Sequence, residues 1–266
     1  MKKLVKSIVN KLGIDIVKYP HKFDQSEIFE KYSQTITELQ IVYHNTFLKE
    51  IPLQNPKRIE LMTQLLGTNP SEALYILNAL HKSINLEGDV CEFGIAQGAT
   101  SALLANEIYG TNKNLWLFDS FKGLPKPTEK DKLKDDIFNL QTMEAYEGTM
   151  AYDVSYVTQK LNGINFPMNR VKFIPGFIEE TINRTDLPKK VCFGYIDFDF
   201  YEPILIALNY LKNTLSSGGY LVVDDYNWFS TGAQTAVDEF LKENEQMFEF
   251  SLPLEGVGHF CLLKKK

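Results

Sequence analysis

The sequence is poor in the residues that staple or clip small folds together. It has 3 cysteines in 266 residues. Cys91, Cys192 and Cys261 all lie in apolar, strand-like runs and form no Cys-x-x-Cys pair. That excludes a disulfide framework or zinc ribbon and fits reduced thiols packed as small hydrophobes. The 4 histidines (His21, His44, His81, His259) are scattered without metal-ligand spacing, so a histidine-based metal centre has no support. No run approaches the ~18 apolar residues of a membrane span. Positive charge is in deficit: Lys plus Arg is 28 against Asp plus Glu 34, a net −6. That balance argues against nucleic acid as a partner. No Gly-x-Ser-x-Gly elbow is present, which leaves acyl hydrolysis without a nucleophile.

The chain opens with lysines and apolar residues, but Lys6 and Lys11 interrupt the apolar stretch and no small-residue cleavage site follows. A cytoplasmic protein without membrane insertion is therefore expected. Leu4, Val5, Ile8, Val9 and Leu12 recur at helical spacing. This reads as a helix docking on its own domain or a partner subunit, with a membrane-surface helix as the alternative. Gly13 is placed to stop it. Helical character continues over 26–48 and 58–66, so residues 1–68 read as a helical N-terminal extension, a lid or oligomer contact. Residues 69–266 form the main domain.

That domain is organised around Gly88 to Ala102. Asp89 to Phe93 reads as a buried strand, Gly94 and Gly98 bracket a turn, and a helix follows over 98–108. A strand breaking into a glycine loop at a helix start lets backbone approach a ligand, with N–H groups pointing at it. The alternative is a tight turn with no ligand. The spacing Glu92-x-Gly94-x-x-x-Gly98, with Ala96 between, is neither a G-x-G-x-x-G fingerprint nor a lysine-bearing P-loop.

Beyond it, strand-like runs at 114–118, 171–174, 191–198 and 219–223 alternate with helical runs at 153–162, 177–183, 202–215 and 231–244. This alternation predicts an α/β fold with a doubly wound, mostly parallel sheet. The last runs, 248–252 and 258–263, are too close for a crossover and should form an antiparallel hairpin. The lysine-rich 122–136 region reads as solvated surface.

Carboxylates gather at the predicted strand ends. Asp119 closes the second strand, 21 positions after Gly98, where an acid in a nucleotide-binding unit accepts ribose hydroxyls. Tyr195-Ile-Asp197-Phe-Asp199 ends the fourth strand and Val223-Asp224-Asp225-Tyr226 the fifth. Alternation puts Asp197 and Asp199 on one face. Acids converging at such a crevice repel one another unless a hard cation joins them, which suits Mg²⁺, with Mn²⁺ or Ca²⁺ as alternatives. Separate solvated loop acids are the plainer reading. Tyr226, Trp228 and Phe229 follow and could line an acceptor pocket.

Glu-x-Gly-x-x-x-Gly after a first strand resembles the first motif of class I S-adenosylmethionine (SAM) methyltransferases. Asp119-Ser-Phe-Lys-Gly-Leu-Pro125 resembles the macrocin O-methyltransferase (TylF-like) family over roughly residues 70–260. The resemblance implies a Rossmann-like sheet, SAM as cofactor, Mg²⁺ dependence and methyl transfer to a sugar hydroxyl of a glycan or glycosylated metabolite. It implies a homo-oligomer too. On the same basis SAM would lie against Glu92, Gly94, Ile95, Gly98, Thr100 and Ser101 of the loop. Asp119, Ser120 and Phe121, then Gly176 and Phe177, and finally Asp197 would complete its site. It implies Asp197, Asp224 and Asp225 as metal ligands and Asp199 as general base, since the downstream histidine of some relatives is Phe200 or Tyr201 here. The remaining readings are a catechol or phenol O-methyltransferase with the same metal logic, and a catalytically silent SAM-fold module.

Overall fold

Asn69 and Pro70 start a helix by simple chemistry: the Asn69 side chain accepts from Glu72 N at 3.0 Å, and proline fills the first helical position. The structure is a computed structural model and describes residues 25–266. The amphipathic stretch at 2–12 and Gly13 lie outside the described residues. Three helices lead in: α1 (Gln25–Thr46), α2 (Arg58–Met62) and α3 (Pro70–Ser83). Then come β1 (Asp89–Phe93), α4 (Ala99–Glu107), β2 (Leu115–Asp119), α5 (Val154–Gly163), β3 (Val171–Pro175) and α6 (Ile178–Thr181). The chain continues with β4 (Val191–Ile196), α7 (Tyr201–Thr214), β5 (Leu215–Val223), α8 (Gly232–Asn244), β6 (Phe248–Ser251) and β7 (Cys261–Lys265).

The strands form one 7-stranded sheet in the order β3-β2-β1-β4-β5-β7-β6. β3 through β5 pair in parallel, while β7 pairs antiparallel to both β5 and β6. The expected hairpin is present, with β7 inserted between β5 and β6. β5 begins at Leu215 rather than Gly219, because the chain bridges Gly218 (φ +81°) as an irregularity within the strand rather than a turn before it. β7 starts later than expected, at Cys261, where pairing with Val223 begins.

Each sheet face carries its own apolar layer. One joins Val90, Leu115, Phe193 and Val222 to α3, α4 and α5, and it runs on into Ile36, Leu61 and Met62 of α1 and α2. The other joins Cys91, Ile196 and Val223 to Leu208 of α7 and Val237 of α8. All three cysteines are free and buried. Among the described residues no helix is long and apolar enough to cross a membrane.

Residues 122–136 are not simply the solvated surface their lysines suggest, because they belong to a folded segment that runs over 120–153. Leu124, Met143 and Tyr146 pack with Phe200 and Phe229 as a third apolar cluster. Asp131 ties this loop down by accepting Tyr201 N at 2.7 Å, which caps α7. Leu133 bridges Ser230 on the far side. The loop's lysines point outward from a folded segment, which is why charge alone misread it.

Candidate active site

The parallel register brings the site together. Phe93 pairs with Phe118 and with Ile196, and Ile196 pairs with Val223, so four strands end in one row. The residue after each is Gly94, Asp119, Asp197 or Asp224. The strand order reverses between β1 and β4, which opens a crevice beyond the carboxyl ends there. A cavity of about 460 Å³ occupies it, lined by the Gly94 loop, Asp119, the β4 and β5 tips and the 120–153 loop.

Gly94 has φ +84°, and a Cβ there would sit 1.8 Å from the Asp197 carbonyl oxygen. Glycine is thus demanded by the chain's own close approach just beyond the paired ends of β1 and β4. Gly98 (φ +76°) starts α4, and its added Cβ would meet Val157 of α5 at 2.9 Å. Ala96 also has positive φ, 46°. Asp119 braces this loop: its Oδ2 accepts from Ile95 N at 2.8 Å and Ala96 N at 3.3 Å, and its Oδ1 accepts from Phe121 N at 2.7 Å. Burial raises the Asp119 carboxyl above its usual range, partly offset by those N–H donors.

Asp197, Asp199 and Asp225 each offer a carboxylate oxygen, and these oxygens lie within 4.8 Å of one another. Asp199 and Asp225 both adopt left-handed backbone, φ 61° and 57°, a conformation that aspartate tolerates better than most residues. Burial and then mutual repulsion hold the carboxyls of all three well above the ordinary range. Three hard oxygen donors that resist ionising together form a donor set suited to a divalent cation. Asp224 is turned differently. Its Oδ2 accepts the Tyr195 hydroxyl at 2.7 Å and its Oδ1 accepts Asp225 N at 2.8 Å. The set that clusters therefore contains Asp199 in the place where the family resemblance put Asp224.

The SAM residues expected from sequence divide into two groups. Gly94, Ile95, Asp119, Ser120, Phe177 and Asp197 line the cavity. Glu92, Gly98, Thr100, Ser101, Phe121 and Gly176 are not in its lining. Glu92 is 1% exposed and burial pushes its carboxyl up to about 8, while its Oε2 and the Ser101 hydroxyl have no partner within the protein. Thr100 lies 3.4 Å from the Thr68 hydroxyl, and Phe121 packs edge-on to Phe173. Gly176 N donates to Asp119 O, holding β3's end to β2's.

Of the three aromatics after Asp225, only Trp228 lines the cavity. Tyr226 donates to Asp238 and packs on Phe250, and Phe229 is fully buried. Two contributors escaped sequence reasoning. Glu72, in the first turn of α3, is buried beside Asp224, has an unpartnered Oε1, and is pushed well upward by burial and then by Asp224. Nothing local in the sequence signals a partner so far along the chain. Tyr195 could have been found, since it sits two residues before Asp197 and so on the same strand face.

The model of the Macrocin-O-methyltransferase (TylF) family matches residues 71–263. Among curated proteins, a tetracenomycin-C rhamnosyl 4'-O-methyltransferase of Streptomyces olivaceus is 26% identical over 142 residues, covering 52% of this chain and 53% of that protein. A mycinamicin III 3''-O-methyltransferase of Micromonospora griseorubida is 28% identical over 146 residues, covering 52% and 55%. The chain thus matches only about half the length of these relatives. The solved O-methyltransferase NovP superposes with a TM-score of 0.64 at 20% identity, covering 88% of this chain and 99% of that one. The calicheamicin methyltransferase CalS11 gives 0.61 at 18%, covering 95% and 97%. These structural likenesses give the fold: a class I methyltransferase sheet.

Proposed function

The chain belongs to the macrocin-O-methyltransferase (TylF) family, and from that membership we propose that it transfers a methyl group from SAM to a sugar hydroxyl of a glycosylated metabolite or glycan, with a divalent cation, Mg²⁺, in the carboxylate cluster. The observation that carries this is the meeting of Asp197, Asp199 and Asp225 oxygens in the cavity that the Gly94 loop also lines. The chain's relatives named above support the acceptor class.

Bound SAM would supply a methyl already activated on its sulfonium, and the cation would polarise the acceptor hydroxyl. The protein's own work is placement. Asp119 fixes the Ile95–Ala96 backbone and Phe121 N, and its one remaining lone pair, on Oδ1, would accept a ribose hydroxyl. Phe177 and Ile178 line the same cavity on the β3 side, where the adenine would lie. Asp197 and Asp225 would hold the cation. Asp199 would share in that set and take the hydroxyl proton on a carboxylate oxygen, a step that needs hydrogen-bond reach. Tyr195 fixes Asp224 and so stiffens the β5 tip from behind.

The test is methyl transfer from labelled SAM across a panel of glycosides and catechols, run in Mg²⁺ and in EDTA. Asp199→Asn should cut turnover by about 10²–10⁴-fold with SAM affinity, read by calorimetry, unchanged. Full turnover in EDTA would remove the cation from the reading. Methylation of catechols alone would replace the sugar acceptor.

A further inference from the structure

Trp228 stands three residues beyond Asp225, and a turn in which its N–H donates to the Asp225 carbonyl at 3.1 Å keeps it beside the acids. Its indole Nε1 donates to Asp135 Oδ2 at 2.8 Å, which spends the ring's one polar group on the 120–153 loop. His259 stacks against the indole, centroids 5.6 Å apart and planes 13° from parallel. The ring is therefore pinned at its edge and backed by a second ring, and what it offers the cavity is carbon π-surface. Ile137, Phe138 and Met150 line the same cavity from the loop that Asp135 belongs to.

The charge of the lining is one-sided. Asp119, Glu179, Asp197, Asp199, Asp224 and Asp225 contribute carboxylates, and among the described residues no lysine, arginine or histidine lines the cavity. Lys130 pairs with Glu239 and Lys134 with Asn227, while Lys122 lies over the ring of Phe177, which lines the cavity.

We propose that Trp228 is the platform on which the acceptor's sugar ring stacks. A pyranose face presents a patch of C–H bonds, which the negative face of an indole attracts. The apolar wall formed by Ile137, Phe138 and Met150 receives what the sugar is attached to. This inference rests on the sugar O-methyltransferase reading, and the experiment separates the two.

Saturation-transfer NMR on the full chain with SAM and Mg²⁺, using methyl glycopyranosides as probes, reads sugar binding directly. Saturation should concentrate on the C–H protons of one pyranose face, disappear in Trp228→Ala and persist in Trp228→Phe. In kinetics with the best glycoside of the panel, Trp228→Ala should raise KM about tenfold, leave kcat within a few-fold and leave SAM affinity unchanged. That calorimetric SAM titration also reports a folded variant, and Trp228→Phe serves where alanine does not fold. Sugar methylation with Trp228→Ala indistinguishable from wild type would overturn the inference and leave the enzyme reading standing. Saturation by catechols and by no sugar would overturn both.

Discussion

Glycine at 94 and glycine at 98 look alike in the sequence and are needed for different reasons. At Gly94 a methyl would drive into the Asp197 backbone at 1.8 Å, and neither strand can yield without breaking the ladder. At Gly98 the neighbour is the Val157 side chain and its Cα at 2.9–3.0 Å, on the adjacent helix α5, so a methyl there must push that helix away, which a surface-side helix can do and a paired strand cannot. Gly94→Ala should therefore cost upwards of ~4 kcal/mol and Gly98→Ala ~2 kcal/mol, the left-handed penalty plus the overpacking against Val157. Urea unfolding with an unchanged m-value checks the contrast; equal costs would show that the chain does not approach itself beyond β1 and β4 as tightly as described. The spacing of these glycines was legible because backbone demands recur in sequence. Ala96 (φ 46°) and Phe121 (φ 53°) hold equally unusual conformations without glycine. Asp119 compensates by accepting their N–H groups. For Ala96 that support comes from a different strand and leaves no local trace, whereas for Phe121 it comes from an aspartate two residues earlier, a turn the sequence does carry.

At the level of elements, the helices before β1 are fastened to the sheet layer by a buried charge rather than by apolar contact alone. Arg58 of α2 donates from Nε to Glu107 Oε1 at 2.7 Å and from Nη2 to Oε2 at 2.5 Å. It also reaches the Pro52 carbonyl and Gln40 of α1, while His81 of α3 lies 2.7 Å from the same Glu107 oxygen. Glu107 closes α4, the helix that begins at the glycine loop. Burial alone would raise its carboxyl, but the Arg58 and His81 bonds outweigh that and hold it below the ordinary 4.5. The unfolded chain therefore binds the Glu107 proton more readily than the folded one. Its stabilisation is present above about pH 4.5 and is lost as pH falls through the depressed folded value. Glu107→Gln should cost about 3–5 kcal/mol at pH 7, because it strands the Arg58 charge. The gap to wild type should narrow as pH drops below the ordinary carboxylate range. Denaturant midpoints of both proteins at neutral and acid pH test this; a pH-independent gap would mean that the residue acts by shape alone. Element types were legible wherever apolar periodicity was strong, as in α3, α7 and the parallel strands. Short α2 was read too long, since the helical pattern of 58–66 hides the turn in which Gln64 N donates to Leu61 O. The ion cluster joins residues from five places in the chain, and no spacing announces it.

Across the whole molecule, two apolar layers on the sheet faces differ in kind from the third cluster under residues 120–153. The sheet layers are continuous and close around paired strands, whereas the third cluster is a small group of side chains roofed by a loop with little regular structure. Such a segment should open independently of the sheet. Its closest fastening is Asp131, whose Oδ1 accepts Tyr201 N and whose Oδ2 accepts the Thr128 N–H and hydroxyl, both at 2.7 Å. Gly232 is part of the same fit, because a Cβ there would sit 1.9 Å from Asp131 Oδ1. Asp131→Ala removes a helix cap and a loop turn together, a loss of ~1–2 kcal/mol. Spent on a unit that opens by itself, it should speed amide exchange across 124–150 about tenfold or more, while amides of β1 and β4 keep wild-type protection. Because Asp135, Ile137 and Phe138 ride on this loop, the variant should also weaken sugar-probe binding while SAM binding, supported by the Gly94 loop and Asp119, stays as it was. Hydrogen exchange read by mass spectrometry, alongside the SAM titration, decides it. Equal acceleration in the sheet strands would mean that loop and sheet unfold as one, and the acceptor side of the cavity would then have no independent motion to admit a bulky glycoside.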